Sequence, residues 1–144
     1  MATIDQLEAS LQLVLVLILS MLIGLERDRR HQPAGLRTHM LVGFGACLFT
    51  IASLHGFNDG DPSRVAAQVV SGVGFLGAGT IMHISSKASP QGEHDIRHLT
   101  TAGSIWATAA IGMTVGTGAW LLAICGTLIV WFVLSIVRYF NKDD

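Results

Sequence analysis

The sequence predicts an all-α fold: a polytopic membrane protein of five transmembrane helices with a glycine-rich central helix. Composition is the first reason. Of 144 residues, 51% are hydrophobic and only 13% charged, and mean hydropathy is +0.55, values typical of a membrane chain. The second reason is the stretch between Arg64 and Lys87, 22 residues without a fixed charge. About 20 apolar residues at 1.5 Å rise cross a hydrocarbon core of about 30 Å. The third is the uncharged run from Leu99 to Val137, about 40 residues, which is long enough for two spans.

The first span runs over about 7–25, with Ser10, Gln12, Ser20 and Gly24 as its polar or small positions past Glu8. It does not read as a typical cleavable signal. The tail before it carries Asp5 and Glu8 but no Lys or Arg, and Glu26-Arg27-Asp28-Arg29-Arg30 follows in place of a cleavage site. Pro33, Ala34 and Gly35 read as a turn. The second span covers about 38–54, with Thr38 as its cap. A turn-rich loop, His55 to Ser63, leads to the third span at about 65–84, with Ser63 as its cap. The loop Ser85–His98 is the longest polar segment. Gly116-Thr117-Gly118 breaks the final apolar run into spans at about 100–115 and 119–137. Trp120, Tyr139 and Phe140 stand where interfacial anchors belong. The whole chain, 1–144, reads as one transmembrane domain with no soluble domain. Cys47 and Cys125 lack zinc or redox spacing and read as small buried apolar residues.

Five spans put the termini on opposite sides. With the first loop cytoplasmic, that side holds Arg27, Arg29, Arg30, Arg37, Lys87, Arg97, Arg138 and Lys142, against Arg64 alone on the other. The positive-inside rule then places the N-terminus outside and the C-terminus in the cytoplasm.

The third span carries its own packing code. At 100° per residue, Ala67, Ser71, Gly74 and Ala78 fall within an arc of about 60°. Gln68, Gly72 and Gly79 form a small or polar stripe beside it. Small faces let helices approach closely in lipid. The fourth span offers a matching stripe, Thr101, Ser104, Thr108 and Gly112. These two helices are expected to pack directly, with Gln68 hydrogen-bonded to Ser104 or Thr108. The alternative is a polar path lined by Gln68, Ser71, Thr101 and Thr108.

Three segments resemble the MgtC/SapB family of bacterial inner-membrane proteins. They are Gly24-Leu25-Glu26-Arg27 with Ala34-Gly35-Leu36-Arg37-Thr38, the run Arg64 to Gly79, and Leu99-Thr100-Thr101-Ala102 with Trp106 and Ala110-Ile111-Gly112. His98 stands where the family often has Gly, and the chain ends without the soluble C-terminal domain of the virulence-associated branch, so the resemblance is to the short branch. It implies a bacterial inner-membrane location and a role in magnesium-limitation and acid-stress physiology.

Other motifs meet plainer readings. Gly72-Val73-Gly74-Phe75-Leu76-Gly77 matches a dinucleotide string but lies mid-span with no strand before it. Asn58-Asp59-Gly60-Asp61 opens like a calcium loop, but Pro62 and Arg64 follow where ligands should be. His94 and His98, with Asp95, could ligate a metal from one helical face, against a solvated loop; no metal or other cofactor is expected. His39, His55 and His83 lie near span ends, where interface placement explains them. Glu26 and Arg37 are expected to pair and close the cytoplasmic end. Arg27, Arg29 and Arg30 orient the chain. Arg64 pairs with Asp59 or Asp61, or binds lipid phosphate.

Function follows by exclusion. Past Glu8 the spans hold no Asp, Glu, Lys or Arg, the groups that relays and pumps usually need. No catalytic constellation or P-loop appears, so the chain is not expected to be an enzyme. A lipid-directed activity of His94, Asp95 and His98 is the residual enzymatic alternative. A net charge of −1 argues against nucleic acid. The expected role is a non-enzymatic protein acting through helix contacts with itself or with other inner-membrane proteins in the bilayer. A channel or transporter for Mg²⁺ or another small ion is the alternative.

Overall fold

A computed structural model of the chain describes residues 6–57, 60–85 and 99–137. It is all-helical: α1 (Gln6–Arg29), α2 (Leu36–His55), α3 (Pro62–Ser85), α4 (Leu99–Gly116) and α5 (Trp120–Phe132), the last continued by a π-helical turn, Val133–Val137. α1, α2 and the Pro62–Ile81 part of α3 are long and apolar enough to cross a membrane on their own. The loop Ser86–His98, with His94, Asp95 and His98, lies outside the described residues, as do Asn58, Asp59, Tyr139 and Phe140.

The helix ends follow local chemistry. After α1, Gln32 N–H reaches Arg27 O at 3.1 Å and His31 N–H reaches Asp28 O at 2.9 Å, around His31 at φ 51°. This is a left-handed C-terminal cap, with Pro33 barring continuation. α4 ends the same way on Gly118 at φ 81°, with Ala119 N–H to Thr114 O at 3.2 Å and Gly118 N–H to Val115 O at 2.9 Å. The expected break at Gly116-Thr117-Gly118 is therefore this motif. Two expected caps are corrected. Gly35, not Thr38, precedes α2, because the Pro33–Gly35 turn delivers the chain directly into Leu36. Asp61, not Ser63, caps α3: its carboxylate accepts the Ser63 N–H at 2.9 Å, and Pro62 fills the first helical position, where a missing N–H costs nothing.

The helix at the centre is α4, and this corrects the expectation for the glycine-rich α3. α4 packs on α1, α2, α3 and α5, most extensively on α2. Thr101, Ser104, Ile105, Thr108, Ala109, Ile111, Gly112, Val115 and Gly116 are buried along it. Its 18 residues make about 27 Å. Its polar face is turned inward, so its hydropathy understates its place in the bundle.

The α1–α2–α4 seams use glycine for close approach. A Cβ on Gly24 would stand 2.7 Å from Leu36 Cα, and one on Gly116 would stand 2.7 Å from Thr50 Cβ. A Cβ on Gly112 would run into the Gly43 carbonyl oxygen, and one on Gly43 into the Ser20 hydroxyl. Lipid supplies little hydrophobic drive between helices, so this backbone-level contact is the main source of cohesion. Val16, Leu19 and Ile23 of α1 meet Cys47, Ile51, Ile111 and Val115 around it. Cys47 is buried as expected, but Cys125 lies exposed on α5, because that helix turns only Ala123 and Thr127 inward.

α3 leans on α4 and, less extensively, on α2. Its inner face is Val73 and Gly77, with Gly77 against Ala102, flanked by Val69 and Thr80. The expected packing stripe, Ala67, Ser71, Gly74 and Ala78, is exposed, as are Gly72 and Gly79. A Cβ on Gly72, Gly74 or Gly79 would meet open space. Gly112 does pack as expected, but against α2 rather than α3. The physical reason is that α4's small stripe matches the equally small run Gly43, Ala46, Thr50 of α2, where His39 also reaches Ser104, leaving α3 the apolar flank.

Candidate functional site

Several polar groups of the core, Arg27, His39, Thr101 and Ser104, gather at the end where α1 turns into α2. The left-handed cap at His31 and the contact of Gly24 with Leu36 bring the first turn of α2 against the last turn of α1. That places His39 beside Arg27 and the start of α4.

Arg27 is 2% exposed. Its Nη2 donates to Gln32 Oε1 at 2.9 Å and to Thr101 Oγ1 at 3.0 Å. Thr101 Oγ1 in turn donates to Gln32 Oε1 at 3.3 Å, and Gln32 Nε2 returns to Arg30 O at 3.1 Å. A guanidinium this deep is costly unless its donors are met. Its place in the last turn of α1, near the carbonyl ends, also favours a cation.

His39 is fully buried, with Nδ1 2.8 Å from Gly35 O and Nε2 3.0 Å from Ser104 Oγ. A carbonyl only accepts, so Nδ1 carries a proton. Ser104 has one proton and two calls on it, Thr101 O at 2.8 Å and His39 Nε2. With neutral imidazole, Ser104 must choose between them. The geometry therefore sets two acceptors, Thr101 O and His39 Nε2, in competition for the one Ser104 hydroxyl proton. Thr108 Oγ1 extends the row by donating to Ser104 O at 2.8 Å.

Arg27, which the sequence placed apart as an orienting charge, comes together with Thr101, Ser104 and Thr108. Gln68 does not join them: it is exposed on α3, and its expected bond to Ser104 or Thr108 is absent. A path lined by Gln68, Ser71, Thr101 and Thr108 is likewise not formed, since Thr101 and Thr108 are buried and the other two lie on an exposed face. Glu26 pairs with Arg30 one turn along α1, while Arg37 is exposed, so the expected Glu26–Arg37 pair is not made. An i, i+4 partner on the same rigid helix needs no loop to be held in place. Arg27 is a buried hydrogen-bonding residue rather than a snorkelling anchor. Arg30 also reaches Ser135 O at 3.1 Å, tying α1 to the end of α5.

Two residues of the cluster, His39 and Gln32, were missed. His39 had a signal: it shares the small-residue spacing of Gly43, Ala46, Cys47 and Thr50. Gln32 had none, because only the turn brings it back.

Arg64 and Gln68 belong elsewhere. With Val65, Val69, Gly72, Val73 and Leu76 they form one wall of a groove of about 720 Å³ between α3 and α2. Asp61 stands just before Pro62, the first residue of α3. The Ser63 hydroxyl and N–H hold its carboxyl below the usual carboxylate range, with Arg64 adding to this. Gly72 to Gly77 lies within continuous α-helix, which leaves no strand for a dinucleotide fold. Among the described residues no group of His, Cys, Asp or Glu is placed to hold a metal.

The family model described as MgtC family matches residues 13–143. The chain is 45% identical over 149 aligned residues to a protein of Escherichia coli K12 named "Putative magnesium transporter YhiD", covering 94% of this chain and 66% of that one. It is 39% identical to Protein SrpB of Synechococcus elongatus, covering 91% of this chain and 75% of that one. It is 42% identical to Protein MgtC of Salmonella typhimurium LT2, covering 89% and 52% respectively. The chain thus spans about two thirds of YhiD and about half of MgtC. No solved structure matches it.

Proposed function

The chain belongs to the MgtC family, and from that premise we propose that it is a bacterial inner-membrane protein of magnesium-limitation and acid-stress physiology. It acts without catalysis, through helix contacts with itself or with other membrane proteins. Its N-terminus faces outward and its C-terminus the cytoplasm, with eight of its nine Lys and Arg on the cytoplasmic side. The observation that carries this reading is the outer face of α3. Ala67, Ser71, Gly74 and Ala78 are exposed there, with none of the described residues within 4 Å of a Cβ on Gly74. Glycine weakens a helix by about 1 kcal/mol relative to alanine. A small face that packs on none of the described helices is suited to a helix from another chain.

The name of the YhiD relative favours a second reading, transport of Mg²⁺. One structural feature speaks for it, the row Thr101, Ser104, Thr108 of buried hydroxyls. Two speak against passage through a single protomer. The glycine seams beyond Thr108 bring α2 and α4 to backbone contact. Buried Arg27 also guards the row, and a divalent cation within about 4 Å of it would meet repulsion of ~8 kcal/mol at an effective dielectric near 20.

The test is Mg²⁺ and H⁺ flux in proteoliposomes, run beside native size for the wild type and Gly74→Leu. The proposal expects no flux above empty liposomes, and an assembly that Gly74→Leu dissociates. Flux from folded, inserted protein would replace it with the transport reading. A wild type that stays monomeric would remove self-association and leave other membrane proteins as the partners.

A further inference from the structure

We propose that the groove between α2 and α3 is a binding site for one phospholipid with an anionic headgroup, its phosphate on Arg64 and an acyl chain along the trough. The groove holds about 720 Å³, within the ordinary range for a small-molecule site. It is a lateral site, opening off the bundle where lipid lies: Leu41 and Leu76 at one end and Phe49 towards the other are all exposed.

Its chemistry is divided along its length. Arg64 and Gln68 stand one helical turn apart on the same wall, both exposed in the first two turns of α3. Past Gln68 the wall is Val69, Gly72, Val73 and Leu76, and the facing wall is Leu41, Val42, Gly45, Ala46 and Phe49. One cationic end and a long apolar remainder fit an amphiphile with an anionic head.

Length sets the occupant. From Arg64 to Leu76 is twelve residues, about 18 Å along a helix. One leaflet of the hydrocarbon core is about 15 Å, half of about 30 Å. The trough therefore runs about one leaflet deep from its charged end, as an acyl chain does and a crossing helix does not.

Charge agrees with length. Among the described residues no acid lines the groove. Asp61, before α3, accepts the Ser63 N–H at 2.9 Å and adds only charge attraction to the exposed Arg64 side chain. A guanidinium offers a phosphate two parallel N–H donors, and Gln68 adds an amide donor one turn deeper. Glycine at Gly45 and Gly72 makes the room: a Cβ at either would meet nothing within 4 Å. This site is separate from the outward face of Gly74 and does not depend on the function proposed above.

The test is native mass spectrometry of the full chain with added palmitoyl-oleoyl phosphatidylglycerol or phosphatidylcholine, for wild type, Arg64→Ala, Gly72→Leu and Gly45→Leu. All three substitutions fall on exposed or open positions, and helical circular dichroism with a single elution peak checks folding. The expected result is one tightly retained phosphatidylglycerol per chain, preferred several-fold over phosphatidylcholine. Retention should fall about tenfold in Arg64→Ala and in whichever of the two leucine variants folds. Equal retention by wild type and variants, no retention by wild type, or no preference between the two lipids would each overturn the proposal. So would an oligomer without lipid that Gly72→Leu reduces to monomer, because a second copy would then occupy the groove.

Discussion

Placing a methyl group on Gly112 should separate two helices that now touch. In Gly112→Ala the new Cβ would overlap the Gly43 carbonyl oxygen and stand 3.1 Å from both Gly43 C and Ala46 Cβ. The obstacle is backbone, so no side-chain rotation relieves it, and α2 must move away from α4. Overpacking of this kind costs up to about 3 kcal/mol. Alanine recovers about 1 kcal/mol of helix propensity, leaving a net loss of about 2 kcal/mol. Gly103→Ala, on the exposed side of the same helix, meets nothing within 4 Å and should gain up to about 1 kcal/mol. The two variants therefore differ by about 3 kcal/mol, roughly a hundredfold in the unfolding constant at 1.4 kcal/mol per decade. The assay is SDS-driven unfolding in mixed micelles, followed by tryptophan fluorescence. Trp106, Trp120 and Trp131 all sit on outer faces and report helix dispersal. Shifts of the same sign in both variants would refute the argument that α2 and α4 meet backbone to backbone.

The remaining expectations concern charges and hydroxyls. Thr101→Val keeps the shape but removes an acceptor from buried Arg27, and should cost about 1–3 kcal/mol in the same SDS assay; Thr101→Ser should recover most of it, and a neutral valine would show that Arg27 does not need this bond. Single reversal Glu26→Arg, at a buried position beside Arg27, should cost about 3 kcal/mol or more; adding Arg30→Glu should restore part of the loss and adding Arg37→Glu none, whereas rescue by Arg37→Glu would reinstate the inter-loop pair. The carboxyl of Asp61 titrates below its ordinary value when folded, so its support for the first turn of α3 is present above the unfolded value near about 3.9 and is lost as pH falls through the folded one. The protection of the Ser63 and Arg64 amides, their exchange taken against the intrinsic rate at each pH, should then hold at neutral pH and fall only in strong acid, and Asp61→Asn should flatten that dependence; unchanged protection across the whole range would remove Asp61 as the cap.

The sequence by itself determined the class, the helices and the turn that ends α4, though not the caps that start α2 and α3. Hydropathy and length are local properties, and lipid leaves the backbone no choice but to satisfy its own hydrogen bonds. The spans expected at 38–54 and 119–137 accordingly lie within two or three residues of α2 and of α5 with its π-helical turn. The turn at Gly118 follows from glycine's access to positive φ. The sequence also marked Gly112, Thr101, Ser104 and Thr108 as one inward stripe, because helical periodicity alone aligns them.

Tertiary structure decided which stripe meets which. α2, α3 and α4 all present small faces, and nothing in one helix records which of two equally small neighbours it will take. α4 settled on α2, where Gly43 admits Gly112 and His39 reaches Ser104. The small face of α3 was left outside, and Gln68 was left in the groove. The same holds for the charges. Glu26 had Arg30 within its own helix, and Arg27 was buried because the His31 turn folds Gln32 back while α4 brings Thr101. Periodicity sets the direction of a side chain from its own axis, but its partner depends on where the other axes lie, and that is fixed only when the helices pack.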